Sequence, residues 1–215
     1  MSRTPRSSVR RAALLGPLVL LPLVAGGALV PTAAAHPHPA KPFTPVATFT
    51  VAGEVAEILA VTPDGRTLLH TDSATGELGL VDLSDPAAPA PLGSVVVGGE
   101  PTSVATTPDG RYALVVVDTT DGAFTSPSGR LDVVDLATRT VVRSLDLGGQ
   151  PDSIAIAPDG ATAAVAIENQ RDEDLVVDGV EGGLPQGPAG FVVALHLQGA
   201  PAAWTATRVD VAGLP

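Results

Sequence analysis

Between residues 46 and 211, short runs in which apolar and polar positions alternate are separated by clusters of Gly, Pro, Asp and Ser. Side chains on a β-strand point to opposite faces in turn, so an alternation such as Ser153-Ile154-Ala155-Ile156 predicts a strand with one buried face. The strands come in repeated groups. Pro-Asp-Gly occurs at 63–65, 108–110 and 158–160, spaced 45 and 50 residues apart. Each copy separates a first strand (56–62, 101–107, 152–157) from a second (67–71, 112–118, 162–168). A third strand follows at 80–83, 133–136 and 193–197, and a fourth at 93–97, 141–147 and 205–211. Asp-Gly suits the tight turn because Gly tolerates positive φ and Asp can bond to its own backbone.

A repeat of this length built from four short strands predicts an all-β, partial β-propeller of about three four-stranded blades, residues 46–215. A glycine-containing step joins one blade to the next, as in Val97-Gly98-Gly99-Glu100-Pro101 and Leu147-Gly148-Gly149-Gln150-Pro151. Residues 46–52 match a fourth strand and its step with no first three strands before them. They are expected to be an N-terminal closing strand whose partners lie past Pro215, which would make the chain the front part of a longer, closed ring. The alternative is a ring assembled between subunits, since open sheet edges invite pairing.

Strands within a blade run antiparallel, so the connections from second to third strand all emerge on one face. The turn Asp lies 18, 26 and 37 residues before the third-strand landmarks Asp82, Asp135 and His196. Nearly all the growth falls at 119–128 and 169–190. Long loops gathered on one face of a rigid scaffold predict that this face carries the function.

The first 35 residues read as an export signal. Arg3, Arg6, Arg10 and Arg11 precede an uncharged apolar stretch, and Ala33-Ala34-Ala35 supplies a cleavage site. The expected product is secreted, without a stable membrane span, and begins with a Pro/His-rich tether at 36–45. Arg10-Arg11 leaves both the general and the twin-arginine export routes open. Cleavage leaves eight basic residues against 23 acidic ones, a formal charge of −15. That surface repels phosphate backbones and argues against nucleic acid as a partner. The absence of cysteine excludes disulfides and thiolate metal sites.

One constellation suggests chemistry. Glu168, Asp172, Glu173, Asp174, Asp178 and Glu181 crowd one loop, and carboxylates in an irregular loop can supply the oxygen shell of Ca²⁺ or another divalent cation. The spacing is not that of an EF-hand, and a solvated charge run is the competing reading. Arg171, beside Asn169 and Gln170, could grip a phosphate or pair with a loop carboxylate. Asp64, Asp109, Asp159, Asp82 and Asp135 recur at repeat positions and are expected to serve the blades. His70 and His196 read as packed or surface residues, and Trp204 is too isolated for a sugar platform. No nucleophile elbow or phosphate loop is present.

The landmarks Pro-Asp-Gly, Val-Asp-Leu and Gly-Gly-x-Pro resemble surface-layer (YVTN-type) propeller repeats of secreted bacterial proteins. A narrower set is similar to exported proteins described as having esterase-like activity of phytase, some labelled alkaline phosphatases. It comprises Gly149-Gln150-Pro151-Asp152-Ser153-Ile154-Ala155-Ile156-Ala157-Pro158-Asp159-Gly160, Ala166-Ile167-Glu168-Asn169-Gln170-Arg171-Asp172-Glu173 and Gly183-Leu184-Pro185-Gln186-Gly187-Pro188. That resemblance implies metal-assisted hydrolysis of a small phosphoester at a calcium-rich acidic face, with no catalytic residue transferred. The alternative is a non-catalytic extracellular propeller that binds a cell-surface partner or serves as a scaffold.

Overall fold

A computed structural model describes residues 44–53, 55–168, 172, 174–181 and 189–211. The export signal, most of the tether, Asn169, Gln170, Arg171 and Glu173 lie outside the described residues. Within Thr44–Pro215 the chain builds three four-stranded antiparallel sheets in succession. Blade one is β1 (Leu59–Val61), β2 (Thr67–Asp72), β3 (Glu77–Asp82) and β4 (Ala90–Val96). Blade two is β5 (Glu100–Thr106), β6 (Tyr112–Asp118), β7 (Gly129–Asp135) and β8 (Thr140–Asp146). In blade three, β9 (Gln150–Ile156) and β10 (Thr162–Glu168) are followed by a small hairpin, β11 (Val176–Val177) and β12 (Val180–Glu181). The blade is completed by β13 (Phe191–His196) and β14 (Thr205–Asp210). The architecture is a partial β-propeller.

The alternation along β6 decides how the blades stack. Tyr112, Leu114 and Val116 join a core with Ala163, Val165, Ile167, Phe191, Val193 and Leu195 of blade three. Ala113, Val115 and Val117 join the other core with Leu69, Leu78, Leu80 and Val95 of blade one. All seven residues of β6 are buried, because blade two is covered on both faces. The same period in β10 buries only Ala163, Val165 and Ile167. Each fully buried Leu or Val contributes about 1.5–3 kcal/mol. The first strands lie against one another. The Thr102 hydroxyl donates to the Pro151 carbonyl at 2.7 Å, the Thr106 hydroxyl to Val61 at 3.1 Å, and the Ile154 N–H to the Ser103 hydroxyl at 3.4 Å.

Two details concern the ends of blade one. Residues 46–52 lie in no ladder among the described residues; instead, 49–53 line a cavity against blade one. In blade one, β1 is shorter than the 56–62 expected, because its ladder with β2 runs only from Leu59↔His70 to Val61↔Leu68.

Candidate functional site

The ends of the blades are fixed by close packing. A β-carbon on Gly160 would sit 2.9 Å from Cγ of Pro108, and one on Gly110 3.4 Å from Cδ of Pro63, so successive Pro-Asp-Gly turns abut on one face. On the opposite face, a β-carbon on Gly76 would meet the Gly99 carbonyl oxygen at 2.9 Å, and one on Gly129 the Gly149 carbonyl oxygen at 2.8 Å. The connections between second and third strands therefore leave the blades on that face, as the antiparallel order implied.

The shortest of these, after β2, is a tight turn in which Asp72 accepts the Thr75 N–H at 3.0 Å. The connection at 119–128 is clamped at its base. Thr119 and Ser128 share a hydroxyl–hydroxyl bond of 2.9 Å and a backbone bond of 3.0 Å, and buried Asp118 accepts the Thr120 N–H at 2.7 Å. Its tip exposes Phe124. Beside it lies an open cavity of about 380 Å³ lined by Gly98, Gly99, Glu100, Asp118, Thr119 and Asp121. Among the described residues its lining has three acidic side chains and no Lys or Arg, which favours positively charged groups.

In the longest connection, Glu168 ends β10 opposite Gln150 and is held at the rim by the ladder, as its strand position implied. Asp172 accepts the Asp174 N–H at 3.1 Å. Asp178 and Gly179, with φ of 51° and 79°, form the two-residue turn of the β11–β12 hairpin, which gives Asp178 a backbone role. Val176 and Val180 in that hairpin are exposed. Among the described residues no three His, Asp or Glu side chains gather closely enough to hold a metal ion, so Glu168, Asp172, Asp174 and Asp178 form no such set. Glu173 and Arg171 fall outside the described residues.

The repeated aspartates serve the turns. Asp64 and Asp109 each accept a threonine hydroxyl at 2.6 Å and the N–H of the following arginine at 3.0 Å, and these bonds hold both carboxyls below their ordinary pKa. Asp82 accepts the Ser84 N–H at 2.8 Å, and Asp135 the N–H groups of Ala137 and Thr138 at 3.0 Å. Both carboxyls are lowered in pKa, chiefly by these backbone donors. Trp204 is buried edge-on against Tyr112, with ring centroids 5.8 Å apart, and His196 is exposed.

The structure adds two buried polar groups, of which the sequence reading had singled out only His70, as a packed or surface residue. Arg130 pairs with buried Asp132 at 3.1 Å and donates to the Val97 and Gly98 carbonyls, tying blade two to the step from blade one. Ser144 donates to Asp132 at 2.5 Å. His70 and Asp72 are also buried, at 7% and 4% exposure. For His70 and Asp72 the signal was a polar residue at strand positions whose repeat equivalents, Val115, Val165, Val117 and Ile167, are aliphatic.

Among the described residues, no helix is long and apolar enough to cross a membrane. A search of the curated proteins finds no match. A solved structure titled Kuenenia stuttgartiensis Hydrazine Synthase is similar at 18% identity and a TM-score of 0.46. The similarity covers 73% of this chain and 54% of that one, so this chain spans about half the length of its solved neighbour. The family model for the Choice-of-anchor I domain matches residues 57–212, a different family from the surface-layer and phytase-like groups that the motifs resemble. The chain belongs to the Choice-of-anchor I domain family and is a β-propeller domain of the secreted or cell-surface type.

Proposed function

We propose that the chain is a non-catalytic binding module at the cell surface, contacting its partner through the face that carries the 119–128 and 169–190 connections. The observation that supports this most is the gathering of both long connections at one end of stacked, rigid blades, with Phe124, Val176 and Val180 exposed along them. Exposed apolar side chains rimmed by polar residues mark interaction surfaces. The strongly acidic chain selects a partner bearing cationic groups. Delivery to the surface follows from the N-terminal signal, cleaved after Ala35, with 36–45 as a spacer.

The test is a binding isotherm of the purified chain on intact bacterial cells. The comparison is a variant in which 169–190 is replaced by the short turn of blade one. Saturable binding lost in the variant supports the proposal; equal binding by both refutes it. Under the rival hydrolase reading, Ca²⁺ would be held by Glu168, Asp172, Glu173, Asp174 and Asp178, with Arg171 on the phosphate. Phosphoester turnover abolished by EDTA would replace the binding-module account with that one.

A further inference from the structure

The face of blade one turned away from blade two breaks the repeat. Counting from each Pro-Asp-Gly turn, His70 occupies the position of Val115 and Val165, and Asp72 that of Val117 and Ile167. Those four aliphatics pack in the cores between blades. Across the ladder, His70 faces Gly79 and Asp72 faces Glu77. Gly79 makes room for the imidazole, since a β-carbon there would collide with Nε2. Gly53 does the same for the Asp72 carboxylate. His70 and Asp72 line a cavity of about 330 Å³ whose other walls include Phe49, Val51, Glu77 and Leu80. Nδ1 of His70 is buried with no hydrogen-bond partner among the described residues.

An unsatisfied buried nitrogen is costly unless something completes it, and the buried Asp72 carboxylate, which accepts the Thr75 N–H, has further lone pairs to offer. Among the described residues, no Lys or Arg lines the cavity. We propose that this cavity binds a small amphipathic primary amine. Its ammonium head sits among Asp72, Glu77 and the free His70 nitrogen, and its aliphatic body lies against Phe49 and Val51. An ammonium carries three donors and no acceptor, matching three acceptor groups. It needs hydrogen-bond reach only, whereas a metal ion needs ligands drawn into one tight shell, and these side chains form no such set. The volume lies at the lower end of small-molecule sites. This inference is independent of the partner surface on the loops.

The experiment is an NMR titration of the full chain with butylammonium, butanol and butyrate, following the imidazole nitrogens of His70, assigned by comparison with His70→Gln. Butylammonium is expected to shift them saturably while the other two do not. Glu77→Gln, at a half-buried position, is expected to weaken binding about tenfold or more, as for loss of a charged hydrogen-bond partner. Gly79→Ala is expected to abolish it while spectra of blades two and three stay unchanged. Equal binding of butanol would show an apolar slot and overturn the proposal, as would His70 resonances unmoved by butylammonium.

Discussion

The Thr107 hydroxyl donates to the Asp109 carboxylate at 2.6 Å across the Pro-Asp-Gly turn of blade two. It also accepts the Tyr112 N–H at 3.0 Å, so one side chain closes the turn from both strands. Thr62 and Asp64 repeat the arrangement in blade one. Blade three has Ala157 at this place, so Asp159 accepts the Ala161 N–H at 2.9 Å with no threonine hydroxyl at 157 to join it. Thr107→Ala is expected to destabilise the chain by about 1–2 kcal/mol, and Ala157→Thr to stabilise it by about 0.5–1.5 kcal/mol. Urea denaturation checks both. A neutral Ala157→Thr would show that the hydroxyl bridge contributes nothing beyond the turn itself.

Asp64, Asp82, Asp109 and Asp135 all have pKa values lowered from an ordinary 3.8 by hydrogen bonds to the folded chain. A carboxyl with a lowered native pKa stabilises the fold above its unfolded value and loses that contribution as pH falls through the native one. Thermal stability is therefore expected to hold from neutrality down to about pH 4, near the unfolded Asp value, and to drop below it. Asp109→Asn is expected to be less stable at neutral pH and to show a shallower acid loss. Melting curves across this range measure it, and parallel curves for the two chains would contradict the assignment.

The Arg130–Asp132 pair stands between blades one and two, with Asp132 only 2% exposed. Removing Arg130 strands a buried carboxylate, and Arg130→Met is expected to cost about 3 kcal/mol. The double change Arg130→Met with Asp132→Leu is expected to recover much of that loss, because no buried charge remains. A double change as damaging as the single one would mean that the bonds to Val97 and Gly98 matter more than the charge.

Leu114 is fully buried between blades two and three, and Leu114→Ala is expected to cost about 2–5 kcal/mol. Val96, 68% exposed on an outer strand, is expected to change stability by less than about 0.5 kcal/mol when cut to Ala. Denaturant midpoints for the two variants check the stacking order directly.

The positions of the second strands were the most legible part of the sequence. The limits of β6 and β10 follow from the turn motif, because Asp-Gly fixes where each hairpin begins and alternation carries the strand onward. The face bearing the long connections was equally readable, since antiparallel order leaves no alternative. Residues 46–52 were less so: their pattern is strand-like, but pairing depends on a neighbour that local sequence does not reveal. The same limit hid the cavity at His70, whose walls at Phe49 and Leu80 are brought together only by folding. In the acidic loop, charge density was visible, yet the Asp178-Gly179 turn shows that part of it serves a hairpin.

The central claim is tested most directly by hydrogen–deuterium exchange of the chain bound to purified cell envelopes. The account predicts protection concentrated in 119–128 and 169–190, with the Pro-Asp-Gly turns at 63–65, 108–110 and 158–160 exchanging as in the free chain. Protection confined to those turns, or absent from both long connections despite binding, would contradict it.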